Sequence, residues 1–317
     1  MLNAAAEAIL AHLSHCADHT TGSDRQPKAE PEKTAIMPTA MEDYLFDLRG
    51  YIVIENALDQ TELNALNTIV DQLSPSPQQE AERAALEREA AIAAGADFGT
   101  ERHGFGSGLN GDVMEHEPFQ RLIDHPAWLS HLERYIGSEN PVAFYGGGCI
   151  LRWPGQGSRL HSGGDQRRQE TQFRFHNNEF RCGMINMILA LNDCGAQGGN
   201  TALVPSSHKA NLPHPEYRNP DPRSARGWKR KAQPGGPPGG QGGYMDGVEG
   251  AVEITMRAGD CLLFVDCLTH GSTKRQIPGA RRAVIFRYAP RWTSPPPPQP
   301  WMAQLTDDHN AFRATQL

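Results

Sequence analysis

The chain has 317 residues, 38% of them hydrophobic, with 32 Gly, 24 Pro and a formal net charge of −7. This length fits two average domains, or one large β domain with appendages. So much Gly and Pro excludes a helical bundle or coiled coil, and several apolar β-type runs exclude full disorder. The acidic balance argues against a basic-patch nucleic-acid partner, and no run of 18 apolar residues marks a membrane span.

The positive charge is lopsided, with 24 Arg against 6 Lys. Arginine grips carboxylate and phosphate through a two-pronged fork, which points to small anionic ligands. The six cysteines form no CxxC pair. They read as buried, reduced thiols of a cytoplasmic protein. The first 16 residues lack a basic n-region and read as a short amphipathic helix rather than a signal peptide.

In chain order, residues 1–40 are expected to be this helix and a polar linker. A folded body is expected over 41–292, and a stiff Pro-rich tail over 293–317. Tyr51–Ile54 reads as a strand. Asp59 and Glu62 form a capping-box pattern ahead of Leu63, Leu66, Val70 and Leu73 at helical spacing. A Glu/Ala/Arg-rich helix is expected over 77–95, and a third helix over Pro126–Ile136. From residue 142 the pattern turns to β. Short runs at 142–145, 149–153, 182–191, 201–204, 251–255, 261–265 and 283–288 join the strand near 52 to make about eight. The fold class expected is mainly β with flanking helices, a double-stranded β-helix or jelly roll. Residues 232–250 are too rich in Gly and Pro for a regular element, and read as either a solvated loop or a lid.

Gly106–Gly111 fits GxGxxG, but its flanks are polar rather than a strand and a helix, so it reads as a flexible loop. A stronger signal has several parts. Arg159-Leu160-His161-Ser162-Gly163-Gly164 follows a strand and a Pro-Gly turn. Gly259-Asp260-Cys261-Leu262-Leu263-Phe264 leads to Thr269-His270-Gly271, and Arg281 lies eleven residues past His270. Between them runs Gly198-Gly199-Asn200-Thr201 and then Val204-Pro205-Ser206-Ser207-His208-Lys209.

Over roughly residues 41–292 this arrangement resembles the phytanoyl-CoA dioxygenase-like Fe(II)/2-oxoglutarate oxygenases, which are cupin-like jelly rolls. The resemblance implies that His161 and His270 bind Fe(II). It implies that Arg281 anchors the far carboxylate of 2-oxoglutarate. Thr201 and Asn186 are expected as further co-substrate contacts. Imidazole suits Fe(II), and two His plus one carboxylate on one face leave positions for co-substrate and O2. For His208 the reading is structural.

The sequence departs from the family at one point. The His-x-Asp motif reads His161-Ser162-Gly163, and glycine supplies no ligand. A chloride ion at Gly163, beside Ser162, would fill the open position. This resembles the non-heme iron halogenase branch, which carries His-x-Gly or His-x-Ala. Two other readings stay open: a hydroxylase in which Asp165 or another residue supplies the carboxylate, and a site that only binds. The substrate is expected to be a small anionic molecule, for which a purine nucleoside monophosphate is one candidate. Arg167, Arg168 and Arg174 would clamp its anion, with His176 and Asn178 beside them and Phe175 and Arg181 nearby.

Overall fold

The computed structural model describes residues 36–76, 107–109, 113–137, 139–161, 171–212, 214–216 and 245–293, with isolated positions elsewhere. These belong to one compact unit, Ala35–Leu317. The expected N-terminal helix, residues 217–244 and most of the Pro-rich tail lie outside the described residues. No helix among the described residues is long and apolar enough to cross a membrane.

Helix α1 (Ala40–Arg49) opens on a capping box between Thr39 and Glu42, and ends at Gly50 with φ 84°. Strand β1 (Tyr51–Ile54) follows. Helix α2 (Gln60–Leu73) carries the expected Asp59–Glu62 capping box and buries Leu63, Leu66, Ile69 and Val70. The described residues between 78 and 89 are helical, in line with the second expected helix. Strand β2 (Ser107–Leu109), the short helix α3 (Glu117–Gln120) and α4 (Leu129–Ile136) complete the N-terminal half.

Ten more strands follow: β3 (Val142–Arg152), β4 (Ser158–His161), β5 (Phe175–His176), β6 (Glu179–Phe180), β7 (Ile185–Ala190), β8 (Thr201–Leu203), β9 (Val252–Ile254), β10 (Cys261–Val265), β11 (His270–Ser272) and β12 (Arg281–Pro290). Six strands form one sheet in the order β1-β10-β7-β12-β3-β2, and four form a second in the order β4-β11-β8-β9. The fold is the expected β jelly roll.

Two expectations are corrected. The Gly-rich stretch around 106–111 is not all loop, because Ser107–Leu109 pairs with Cys149–Leu151 as the sheet's edge strand. The runs at 142–145 and 149–153 are one strand, not two. The glycines between them do not break it, and at Gly147 the sheet needs the missing side chain. A Cβ on Gly147 would lie 2.1 Å from the Ile285 carbonyl oxygen. The register slips once, so that Arg287 faces Gly146 while Tyr288 faces Phe144. Such a bulge bends the strand and re-aims its side chains.

Alternation assigns the faces of the large sheet. On the outer face the Tyr288 hydroxyl reaches the Ile123 carbonyl at 2.9 Å, and Arg282 bonds Asn67 of α2 at 3.0 Å. This face packs on the helices and holds the buried core of Met187, Leu189, Val284 and Phe286. The opposite, inner face carries Arg281, Ile285 and Arg287 of β12, with Asn186 and Ile188 of β7 as register partners. Phe264 of β10 stands beside Asn186 on the same face.

Candidate metal centre

Strand β11 lies between β4 and β8 in the small sheet. His270 pairs with His161 on one side and with Leu203 on the other. The two imidazoles meet with ring centroids 4.0 Å apart. His161 is exposed, whereas His270 is buried. The ring of Phe264 packs edge-on against His270 at 4.8 Å, bringing the inner face of the large sheet to the pair.

His270 Nδ1 donates to the Leu268 carbonyl at 2.6 Å. That bond sets the tautomer and leaves the Nε2 lone pair for a metal, as metal-bound histidines commonly arrange. Burial holds the His270 pKa well below the usual imidazole range, reinforced by the His161 ring nearby. The residue is therefore a neutral donor near pH 7.

Arg281 begins β12 on the inner face and is buried. Its Nη1 donates to the Gly199 carbonyl at 2.7 Å and its Nη2 to Thr201 Oγ1 at 2.8 Å. Thr201 belongs to the small sheet, so this arginine bridges the two sheets. Gly199 holds its carbonyl there at φ 75°, and a Cβ would lie 2.9 Å from the Arg275 side chain. Arg275 fastens the same loop by donating to the Gly198 carbonyl at 2.9 Å. Among the described residues Arg281 meets no carboxylate. A buried cation without a counter-charge is costly, and an anionic ligand removes that cost.

The structure thus brings four expected residues together in two pairs, His161 with His270 and Arg281 with Thr201. Asn186 takes another partner, its Nδ2 donating to Asp266 Oδ1 at 2.9 Å. Ser162, Gly163, Asp165, Arg167 and Arg168 lie outside the described residues. Arg174, His176 and Asn178 sit on the β5–β6 hairpin and are exposed. Asn177 and Asn178 both take positive φ, 53° and 64°, so Asn178 serves the tight turn. Arg174, His176, Asn177, Arg181 and Trp292 line a cavity of about 370 Å³ whose walls include neither the histidine pair nor Arg281.

Three polar groups of the inner faces went unread in the sequence. Ser158 Oγ and Ser272 Oγ lie 3.1 Å apart, and Ser272 stands two residues from His270 on the same strand face. The third is Asp266, in the turn that leads into β11. Period-2 alternation through His270 was the available signal for Ser272; no local signal marks Asp266.

These residues fit a divalent iron and 2-oxoglutarate: two facing imidazoles, one with a fixed tautomer, and an uncompensated buried guanidinium. A family model described as phytanoyl-CoA dioxygenase (PhyH) matches residues 46–283. The chain belongs to the phytanoyl-CoA dioxygenase family. It is therefore an enzyme of the Fe(II)/2-oxoglutarate-dependent oxygenase class. Solved structures agree on the fold. HygX from Streptomyces hygroscopicus, bound to nickel and 2-oxoglutarate, superposes with a TM-score of 0.56 at 20% identity, covering 81% of this chain and 89% of HygX. The carbocyclase SnoK from nogalamycin biosynthesis gives 0.50 at 16% identity, covering 85% and 91%. No curated protein matches the chain significantly.

Proposed function

We propose that this enzyme inserts oxygen into an unactivated C–H bond of a small anionic molecule, using Fe(II), 2-oxoglutarate and O2. The observation that carries the reading is the cross-sheet bond from Arg281 to Thr201, on the inner faces that also carry His161 and His270. When bound, the metal and 2-oxoglutarate supply the oxidising power, with the co-substrate ending as succinate and CO2. The chain's own residues bind and orient. The Leu268 carbonyl holds the His270 tautomer. Arg281, steadied by Gly199 and Thr201, receives the carboxylate of the co-substrate. Phe264, packed edge-on against His270, and Ile188 on the same sheet face would offer the centre apolar surface. Arg174 and His176 are the described candidates for the substrate's anionic group, and a purine nucleoside monophosphate is the first substrate to test.

Chlorination is the second reading, and Gly163 favours it. A glycine in place of the family's aspartate offers no carboxylate, and chloride is a monoanion of suitable size. One experiment separates the two. The enzyme is incubated in air with Fe(II), 2-oxoglutarate and chloride against purine nucleoside monophosphates, and the products are read by mass spectrometry. A product that gains oxygen supports the first reading. Chlorine's isotope doublet, replaced by bromine's when bromide is supplied, supports the second. Absence of any succinate formation overturns both.

A further inference from the structure

We propose that Asp266 is the carboxylate that completes the metal-ligand set with His161 and His270, in place of the aspartate that Gly163 has replaced. The inference rests on the Fe(II)/2-oxoglutarate reading and deepens it.

Position comes first. Asp266 follows β10 directly and precedes His270 by four residues. Its backbone N–H donates to the Met184 carbonyl at 2.8 Å, which ties the turn to the start of β7. Its Oδ1 accepts the Asn186 bond at 2.9 Å. Asn186 pairs in register with Phe264, whose ring touches His270. The carboxylate therefore stands on the side of the sheet that faces the histidine pair.

Charge comes second. Burial pushes the Asp266 carboxyl pKa up, while the Asn186 hydrogen bond and the fields of Arg287 and His161 hold it down. Among the described residues Asp266 forms no salt bridge. Burial outweighs these contributions, and with one side-chain hydrogen bond and no cation in salt-bridge contact a divalent ion would stabilise the charged carboxylate.

Ligand chemistry comes third. Two imidazoles and one carboxylate are the donor set suited to ferrous iron with open positions. The source of the carboxylate along the chain is immaterial if it reaches the same ion. Among the described residues no three ligating side chains already surround one point. The histidine rings, 4.0 Å apart, are also closer than two rings sharing an ion at about 2.1 Å from each nitrogen. Metal loading thus readjusts these side chains, and Asn186 becomes the positioning residue that aims Asp266.

The test is anaerobic titration calorimetry with Mn(II) and with Fe(II), which needs no turnover. Asp266→Asn is expected to weaken metal binding about 100-fold, while Asp165→Asn stays within about threefold of wild type. Adding Gly163→Asp to Asp266→Asn restores the family motif and is expected to recover most of the affinity. Wild-type affinity in Asp266→Asn, or loss in Asp165→Asn alone, overturns the inference and leaves the iron reading standing. A wild-type chain that binds neither ion overturns the iron reading itself. If Asp266→Asn shows no cooperative melt, Asn186→Ala is measured instead. A loss of about tenfold supports the role, and unchanged affinity overturns it.

Discussion

Arg281 Nη2 donates to Thr201 Oγ1 at 2.8 Å, joining the first residue of β12 in one sheet to the first residue of β8 in the other. The contact spans 80 residues of sequence. It pre-orients a buried cation that has no carboxylate partner among the described residues.

If this pair anchors the co-substrate, Arg281→Gln raises the 2-oxoglutarate Kd by about 100-fold, because a charge-assisted two-pronged contact is lost. Thr201→Val, which removes only the orienting hydroxyl, raises it by about tenfold. Both values come from anaerobic titration of Mn(II)-loaded protein with 2-oxoglutarate. Equal, small effects from the two variants would show that the anchor lies elsewhere.

His270→Ala removes a neutral donor whose tautomer is already set by Leu268. Metal binding should fall below detection at micromolar protein, and succinate production should stop. His161→Ala should do the same. A variant that keeps wild-type metal affinity would remove that histidine from the ligand set.

The role of Gly163 is read from product identity rather than rate. Gly163→Asp restores the His-x-Asp motif. If the wild type is an oxygenase, this variant still yields oxygenated product and no halide dependence. If the wild type chlorinates, the variant loses the chlorine isotope doublet in the mass spectrum.

His208 sets a pH dependence of stability away from the metal centre. Its Nε2 donates to the Asp47 carbonyl at 3.0 Å, and burial drives its pKa down to about 4. In the unfolded chain a histidine titrates near 6.5. Between these values the unfolded state holds more protons, so stability falls as pH drops through the window and levels off below about 4. The contribution is on the order of 3 kcal/mol at most. Urea melts at pH 7 and at pH 4.5 measure it, and His208→Gln should flatten the difference.

Gly50 is the partner position to His208. It ends α1 at φ 84°, and a Cβ there would lie 2.6 Å from His208 Nδ1. Gly50→Ala should destabilise the fold by about 1–3 kcal/mol, since both the left-handed backbone and the contact are strained. A lowered Tm with unchanged metal affinity is the expected signature, separating this histidine from the proposed metal ligands His161 and His270.

Local chemistry determined much of this protein on its own. The Asp59–Glu62 capping box and the apolar spacing after it specify α2, because both act within a few residues. Short apolar runs between turns specify a β jelly roll, and the motifs around His161, His270 and Arg281 resemble the family whose model matches residues 46–283. The tertiary structure decided what depends on contacts between distant strands. Gly146–Gly148 read as a break but lie within one long strand, and only β12 packing against it reveals why Gly147 must be bare. Thr201 and Asn186 looked alike in the sequence, yet register places one against Arg281 and the other against Asp266. Asp266 carries no motif of its own. It becomes a candidate ligand only because antiparallel pairing brings His161 and His270 together and the turn before β11 sets a carboxylate on the side of the sheet that faces them.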